Sequence, residues 1–155
     1  MGEFATRVQE RLREHLATER PDYAWTVEAT IAGTLVDVVG RAGETVALVE
    51  LEWRRADPAD NAAKLFRHLA RGALDVERAV VCQVFSGYYD LASGGVSAKR
   101  ENAEFVGGVA ADDLAALSYE ALDLAIDPPK RGGEPPPGWE RAVADAAAAI
   151  AAGLP

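Results

Sequence analysis

Residues 34–53, TLVDVVGRAGETVALVELEW, constrain this chain more than any other stretch. They read as two apolar strands around a tight turn, yet Asp37, Glu50 and Glu52 stand among the valines and leucines. Charged side chains are seldom placed on core strands unless something pairs with them. With Gly43-Glu44 as a two-residue loop, glycine first as a type II′ turn prefers, Ala42 faces Thr45, Arg41 faces Val46 and Asp37 faces Glu50. The Cβ atoms of such a pair lie roughly 4.5–5.5 Å apart. Glu52, two residues beyond Glu50, projects from the same face. Three carboxylates are therefore expected to converge at one end of a hairpin. Like charges that close repel unless a proton is shared or a cation sits between them, and hard divalent ions favour such an oxygen-rich arrangement. A three-residue loop would put the acids on opposite faces instead. The alternative for Glu50 and Glu52 is the solvent face of a half-exposed strand, with Val49, Leu51 and Trp53 turned to the core. Asp37 fits that alternative poorly, because it interrupts the apolar run LVDVV.

The rest of the chain frames this hairpin. Its 155 residues suffice for one domain with a real core. Phe4, Val8, Leu12 and Leu16 recur every four residues and predict a helix over 3–19, stopped by Pro21. AWTVEATI predicts a strand over 24–31, broken by Gly33, ahead of the strands at 34–42 and 45–53. Asp57-Pro58 opens a helix through about residue 71, with Asp57 as N-cap and proline at the first helical position. RAVVCQVFS, 78–86, reads as a fully buried strand containing Cys82, a small buried hydrophobe with no partner for a disulfide. Further expectations are a helix near 97–106, a short strand at Val106–Val109 around two glycines, and a helix over 112–125. PPKRGGEPPPG, 128–138, reads as a linker with no way to pack, and Trp139 opens an alanine-rich helix that docks back on the body. The domain organisation is thus a core over 1–127, a linker over 128–138 and a docking helix over 139–155. The order of elements predicts α/β architecture, a mixed central sheet flanked by helices.

Charge narrows the function classes. A net charge of −9 argues against a broad, nonspecific nucleic-acid surface but leaves room for a local basic patch. No apolar run approaches the length of a membrane span, and the N-terminal MGEFATRVQERLREHL is a charged amphipathic pattern rather than a signal peptide. A cytoplasmic protein without a membrane role is expected. Two histidines, His15 and His68, and one cysteine do not make a zinc set. Neither a P-loop nor a nucleophile elbow is present. Arg54 and Arg55 follow the acidic strand directly. On the next helix Asn61, Lys64, His68 and Arg71 share one face, with Arg67 beside them, while Ala62, Leu65, Phe66 and Leu69 form the apolar stripe. An acidic pocket followed at once by a basic surface suits a phosphate substrate: carboxylates hold a metal at the chemistry, and cations lie along the backbone. The bland alternative for the basic residues is a solvated helix face.

Asp37, then Glu50-Leu51-Glu52 after a hairpin, then a helix, resembles the signature of the PD-(D/E)xK nuclease superfamily. The run VELEWRRADPADNAAKLFRHL is similar to the type II restriction endonuclease branch that includes BamHI and BglII, and the likeness covers residues 24–86. It implies a restriction endonuclease-like three-layer sandwich with the acids on the second and third core strands. It also implies Mg²⁺ or Mn²⁺ held by Asp37 and Glu50, with backbone oxygen near residue 51, waters, and Glu28 as a further ligand. Val36 stands where the family often has proline. Glu52 stands where most members have lysine, which makes it a base or an extra metal ligand; otherwise the missing cation has moved to the following helix as Lys64. Gln83 resembles polar residues that sometimes line such sites. Arg54, Arg55, Arg67 and Arg71 would track DNA, and Lys99 and Asn102 would face it from the next helix. The implied activity is metal-dependent hydrolysis of DNA phosphodiesters by a homodimer with one site per strand. Two alternatives remain: a catalytically inactive nuclease-fold module for binding or assembly, and an unrelated α/β domain binding a protein or small ligand with the acids merely on its surface.

Overall fold

A computed structural model describes residues 2–155. In chain order the elements are α1 (Glu3–Glu19), β1 (Ala24–Ile31), β2 (Thr34–Ala42), β3 (Thr45–Glu52), α2 (Pro58–Ala70), β4 (Arg78–Ser86), α3 (Ala98–Asp113), β5 (Leu117–Leu124) and α4 (Trp139–Gly153). The five strands form one mixed sheet in the order β1-β2-β3-β4-β5. The first three are antiparallel neighbours, and β4 and β5 continue parallel to β3.

Period-2 alternation along β3 sorts side chains into two layers. Ala47, Val49 and Leu51 pack with Val8, Leu12 and Leu16 of α1 and with Val143, Ala147 and Ile150 of α4. Val46 and Leu48 pack with Ala62, Leu65 and Phe66 of α2, where Val106 and Ala110 of α3 join them. Helices thus cover both faces of the mixed sheet, compatible with a three-layer sandwich. Arg20 locks the first layer by donating to the carbonyls of Ala151 and Leu154 at 3.3 and 3.1 Å, at the C-terminal end of α4. No described helix is long and apolar enough to cross a membrane.

Both hairpin loops follow their glycines. Gly43 has φ of 55° and its successor Glu44 does not have positive φ, as a type II′ turn requires. The expected register results: Ala42 pairs with Thr45, Arg41 with Val46, Val39 with Leu48 and Val38 with Val49. The β1–β2 ladder is regular except at one step, where Glu28 and Asp37 do not pair. Glu28 has φ of 50°, in the left-handed region. Beyond that step the apolar residues change layer. Trp25, Val27 and Val38 pack toward α1 and α4, whereas Ala29, Ile31 and Val36 pack toward α2. Asp37 therefore sits at a twist in the sheet, off the regular ladder.

Three expectations need correction. Val106–Val109 is not a strand but lies within α3, and the helix expected over 112–125 is instead β5, eight residues paired parallel to β4. In LSYEALDL, Leu117, Ala121 and Leu124 have helical spacing, but pairing with an open sheet edge prevails over that short pattern. The proline-rich segment 128–138 is not free: Arg54 donates to the carbonyls of Pro128 and Pro129, and Pro128 is buried. One of the two glycines in α3, Gly107, is explained by packing, because a Cβ there would overlap the Tyr119 ring.

Gly107→Ala separates packing from propensity. Helix propensity alone would stabilise the variant by about 1 kcal/mol. Overlap with Tyr119 is expected to reverse the sign, for a net loss of about 1–3 kcal/mol in denaturant unfolding.

Candidate active site

Glu50 and Glu52 are 1% and 0% exposed, so the solvent-face alternative fails. On β3 they continue the Val46–Leu48 row toward α2. Asp37 reaches the same place from β2. The β2–β3 ladder ends at Val38–Val49, and the Asp37 carboxylate takes over its next hydrogen bond, accepting from the Leu51 amide at 2.8 Å. Gln9 of α1 fixes the aspartate backbone by donating Nε2 to the Asp37 carbonyl at 2.7 Å. In that position the carboxyls of Asp37 and Glu50 lie close enough for each to act directly on the other's protonation.

Two carboxyls in a buried contact cannot both remain ionised at ordinary pH. Burial first, and then the neighbouring Asp37, push Glu50 up to about 9. Burial also raises Asp37, with the Leu51 amide and Glu50 opposing it. At neutral pH the pair as a unit keeps one proton. Glu50 Oε1 is buried without a hydrogen-bond partner.

Glu52 is held differently. Its Oε1 accepts from Asn61 Nδ2 at 3.1 Å and from Gln83 Nε2 at 2.7 Å. Gln83 also donates to the Pro58 carbonyl at 3.0 Å, and its Oε1 accepts from the Tyr119 hydroxyl at 2.8 Å. α2, β4 and β5 thus converge on one carboxylate. Burial raises Glu52, while Asn61, Gln83 and Arg55 hold it down. Its Oε2 lies 3.5 Å from Arg55 Nε, an ion-pair distance without hydrogen-bond geometry, so that oxygen has no hydrogen-bond partner.

Arg55 is the cation of the site. Its charge lowers the proton affinity of Asp37, Glu50 and Glu52 alike, and the Tyr89 hydroxyl donates to its carbonyl at 3.0 Å. Lys64 does not take that place: it is exposed on α2, with Nζ 3.3 Å from Asp60. A residue at the end of the acidic strand is nearer the carboxylates than one on the outer face of the next helix. Glu28 acts electrostatically on Asp37 but is exposed. Arg67 and Arg71 are exposed on α2, the latter about 15 Å along the helix from Asn61 at 1.5 Å per residue. His68 is engaged with Thr34 at 3.0 Å between its Nε2 and the hydroxyl. Asn102 is exposed on α3, while Lys99 and Arg54 both lie against Tyr88. Tyr119 and Tyr89 escaped the sequence analysis, since neither has a signal near the acidic motif; their roles arise from strand pairing and a turn.

Among the described residues no group of three or more His, Cys, Asp or Glu side chains is gathered as a ready metal cluster. The donor chemistry nevertheless fits a hard cation in part. Asp37 and Glu50 form a carboxyl pair whose shared proton a cation could replace, and Glu50 Oε1 and Glu52 Oε2 are buried oxygens without hydrogen-bond partners. The chain matches no protein-family model and no curated protein sequence.

Stability should report the shared proton. Glu50 binds its proton more tightly folded than unfolded, so stability falls as pH rises between about 4.5 and about 9. Glu50→Gln keeps a neutral hydrogen-bond donor opposite Asp37 and removes that contribution. Without divalent metal, the variant is expected to unfold at higher denaturant than the parent at pH 8, by about 1–3 kcal/mol, and the difference should shrink toward pH 5.

Proposed function

We propose that this protein is a metal-dependent nuclease of restriction endonuclease-like fold that hydrolyses DNA phosphodiesters. The observation that carries this reading is the Asp37–Glu50 carboxyl pair, Glu50 buried and Asp37 partly so, with buried Glu52 beside it paired to Arg55. Asp37 and Glu50 are the residues to hold Mg²⁺ or Mn²⁺. A cation bound there supplies charge for the scissile phosphate and acidifies a water. The protein supplies the rest. Glu52 Oε2, free of hydrogen bonds while Oε1 is fixed by Asn61 and Gln83, accepts the proton of the attacking water. Burial favours this role by raising the proton affinity of Glu52. Arg55, half exposed, bridges the carboxylates and solvent and contacts a phosphate oxygen. The reading rests on residue chemistry together with the likeness of the D…ELE motif to PD-(D/E)xK nucleases. Cleavage of both strands of a duplex by so small a chain calls for a homodimer.

One observation favours a second reading, a catalytically silent domain of the same fold used for binding or assembly. Asp37 already has a structural task in closing the β2–β3 ladder.

Calorimetry with Mn²⁺ tells the readings apart. The nuclease reading expects binding that releases protons and tightens from pH 6 to pH 9; Asp37→Ala abolishes it, and the silent domain binds no metal at any pH. In cleavage assays with Mg²⁺, Glu52→Gln is expected to slow hydrolysis by about 10²–10⁴-fold. Wild-type cleavage by Asp37→Ala or Glu50→Ala would remove the assignment.

A further inference from the structure

The acidic site opens onto an aromatic and basic surface that the chemistry above does not use. Tyr88, in the 3₁₀ turn Gly87–Tyr89 that follows β4, is 42% exposed. The Arg54 guanidinium lies 5.9 Å from its ring centroid, and Lys99 Nζ lies 5.3 Å from the same centroid and 3.3 Å from the hydroxyl. The ring is held edge-on to buried Tyr89, with centroids 5.1 Å apart, and Tyr89 also holds the Arg55 carbonyl. An exposed aromatic ring flanked by two cations is thus anchored to the backbone of the site's own arginine.

Arg54 carries this surface further. Its guanidinium is fixed by the Pro128 and Pro129 carbonyls, and it lines a cleft of about 960 Å³ between the start of α1 and residues 129–135. Arg7, Lys130 and Arg131 line the same cleft, against Glu3 and Glu134, so cations outnumber carboxylates four to two in a chain whose net charge is −9. Phe4 and Trp53 supply its apolar wall. Arg7 is held over Trp139, 5.3 Å from the ring. A run of cations therefore leads from Lys99 past Tyr88 and Arg54 into the cleft, and Arg55 is tied to it through Tyr89, which holds its carbonyl.

We propose that this path binds single-stranded DNA, with an unpaired base stacked on Tyr88 and the backbone led by Arg54 into the cleft toward Lys130 and Arg131. The inference rests on the nuclease reading for what happens at the carboxylates, but not for the binding itself. Stacking on an exposed ring needs a base freed from its partner, and every base offers a π-face, so the platform tolerates sequence. Guanidinium and ammonium groups along the path neutralise phosphates and make binding salt-dependent. A paired duplex keeps its bases within the stack and gains nothing from Tyr88. The substrate class is then a strand with unpaired nucleotides, such as an overhang, flap or gap, rather than an uninterrupted duplex.

Fluorescence anisotropy tests this without cleavage. Labelled oligo(dT) of about 12 nucleotides and a duplex of the same length are titrated in EDTA against the full chain. Single strand is expected to bind about tenfold or more tightly than duplex. Tyr88→Ala should weaken single-strand binding about tenfold, Tyr88→Phe should preserve it, and the double reversal K130E/R131E should weaken it and flatten its salt dependence. Equal affinity for duplex, or unchanged binding by Tyr88→Ala, overturns the inference. The two readings fail separately. Tyr88-dependent binding without metal-dependent cleavage upholds this inference and removes the nuclease; metal-dependent cleavage of duplex at full rate by Tyr88→Ala does the reverse.

Discussion

The close approach of the Asp37 and Glu50 carboxyls is the constraint to which the rest of the site answers. An isolated carboxylate in a protein interior is so unfavourable that it changes protonation state instead. β3 nevertheless places one acid in the row that holds Val46 and Leu48, between two strands and under a helix. The fold accommodates it with a second acid from β2, one shared proton and one backbone amide. That amide is available because the β2–β3 ladder ends one pair earlier, at Val38–Val49; on the other side of β2 the β1–β2 ladder skips Asp37, opposite the left-handed Glu28. A non-glycine residue in that region costs roughly 1–2 kcal/mol. Strain of this kind persists where surrounding structure over-determines it. The twist at Glu28, the orientation of Asp37 and the protonation of Glu50 are therefore one linked arrangement.

Glu52 is a contrasting case two residues away. It is as deeply buried as Glu50, yet it receives two amide donors and the field of Arg55. Its donors come from α2 and β4, and Tyr119 of β5 orients Gln83 from the far side. Fixing one oxygen through three elements leaves the other in a defined position with no competing hydrogen bond. A group that must take a proton from water needs this combination of rigid placement and a free lone pair. A carboxylate serving only the core would more cheaply have both oxygens satisfied.

What could be read from the sequence follows how local each cause is. The β2–β3 register was legible because Gly43 sets the turn and every other residue follows by alternation. Helix α2 was legible from Asp57, whose side chain accepts from the Asp60 amide at 3.0 Å, and from the proline after it. β5 was not, because LSYEALDL satisfies a helical period over its few apolar positions and becomes a strand only by pairing with β4. The glycines of α3 read as part of a short strand at Val106–Val109, while the reason for Gly107 is an aromatic ring on another element. The same division runs through the site. Asp37, Glu50 and Glu52 announced themselves as charges in apolar strands. Gln83 was noticed, but the Tyr119 hydroxyl that orients it became visible only once β5 lay beside β4. The site cation proved to be Arg55 rather than Lys64, since side-chain direction at the end of β3 cannot be inferred from helix periodicity.

The charge distribution joins these observations. A chain of net charge −9 repels a polyanion at long range, and the Debye length of about 8 Å at physiological salt limits that repulsion to near contact. Within that range the local balance matters, and in the cleft it is reversed: Arg7, Arg54, Lys130 and Arg131 outnumber Glu3 and Glu134, while Arg55 and Lys99 lie nearer the end of the sheet. Arg54, Arg55 and Lys99 are each held by an identifiable contact, to Tyr88, to Glu52 or to the proline carbonyls. Cations already oriented lose less side-chain entropy on meeting a phosphate. The proline-rich segment supplies carbonyls that fix Arg54 and cations that line the cleft, so its stiffness acts on the shape of the basic path. A net-acidic chain with a local cluster of anchored cations disfavours nonspecific adhesion to nucleic acid more than a uniformly basic surface would.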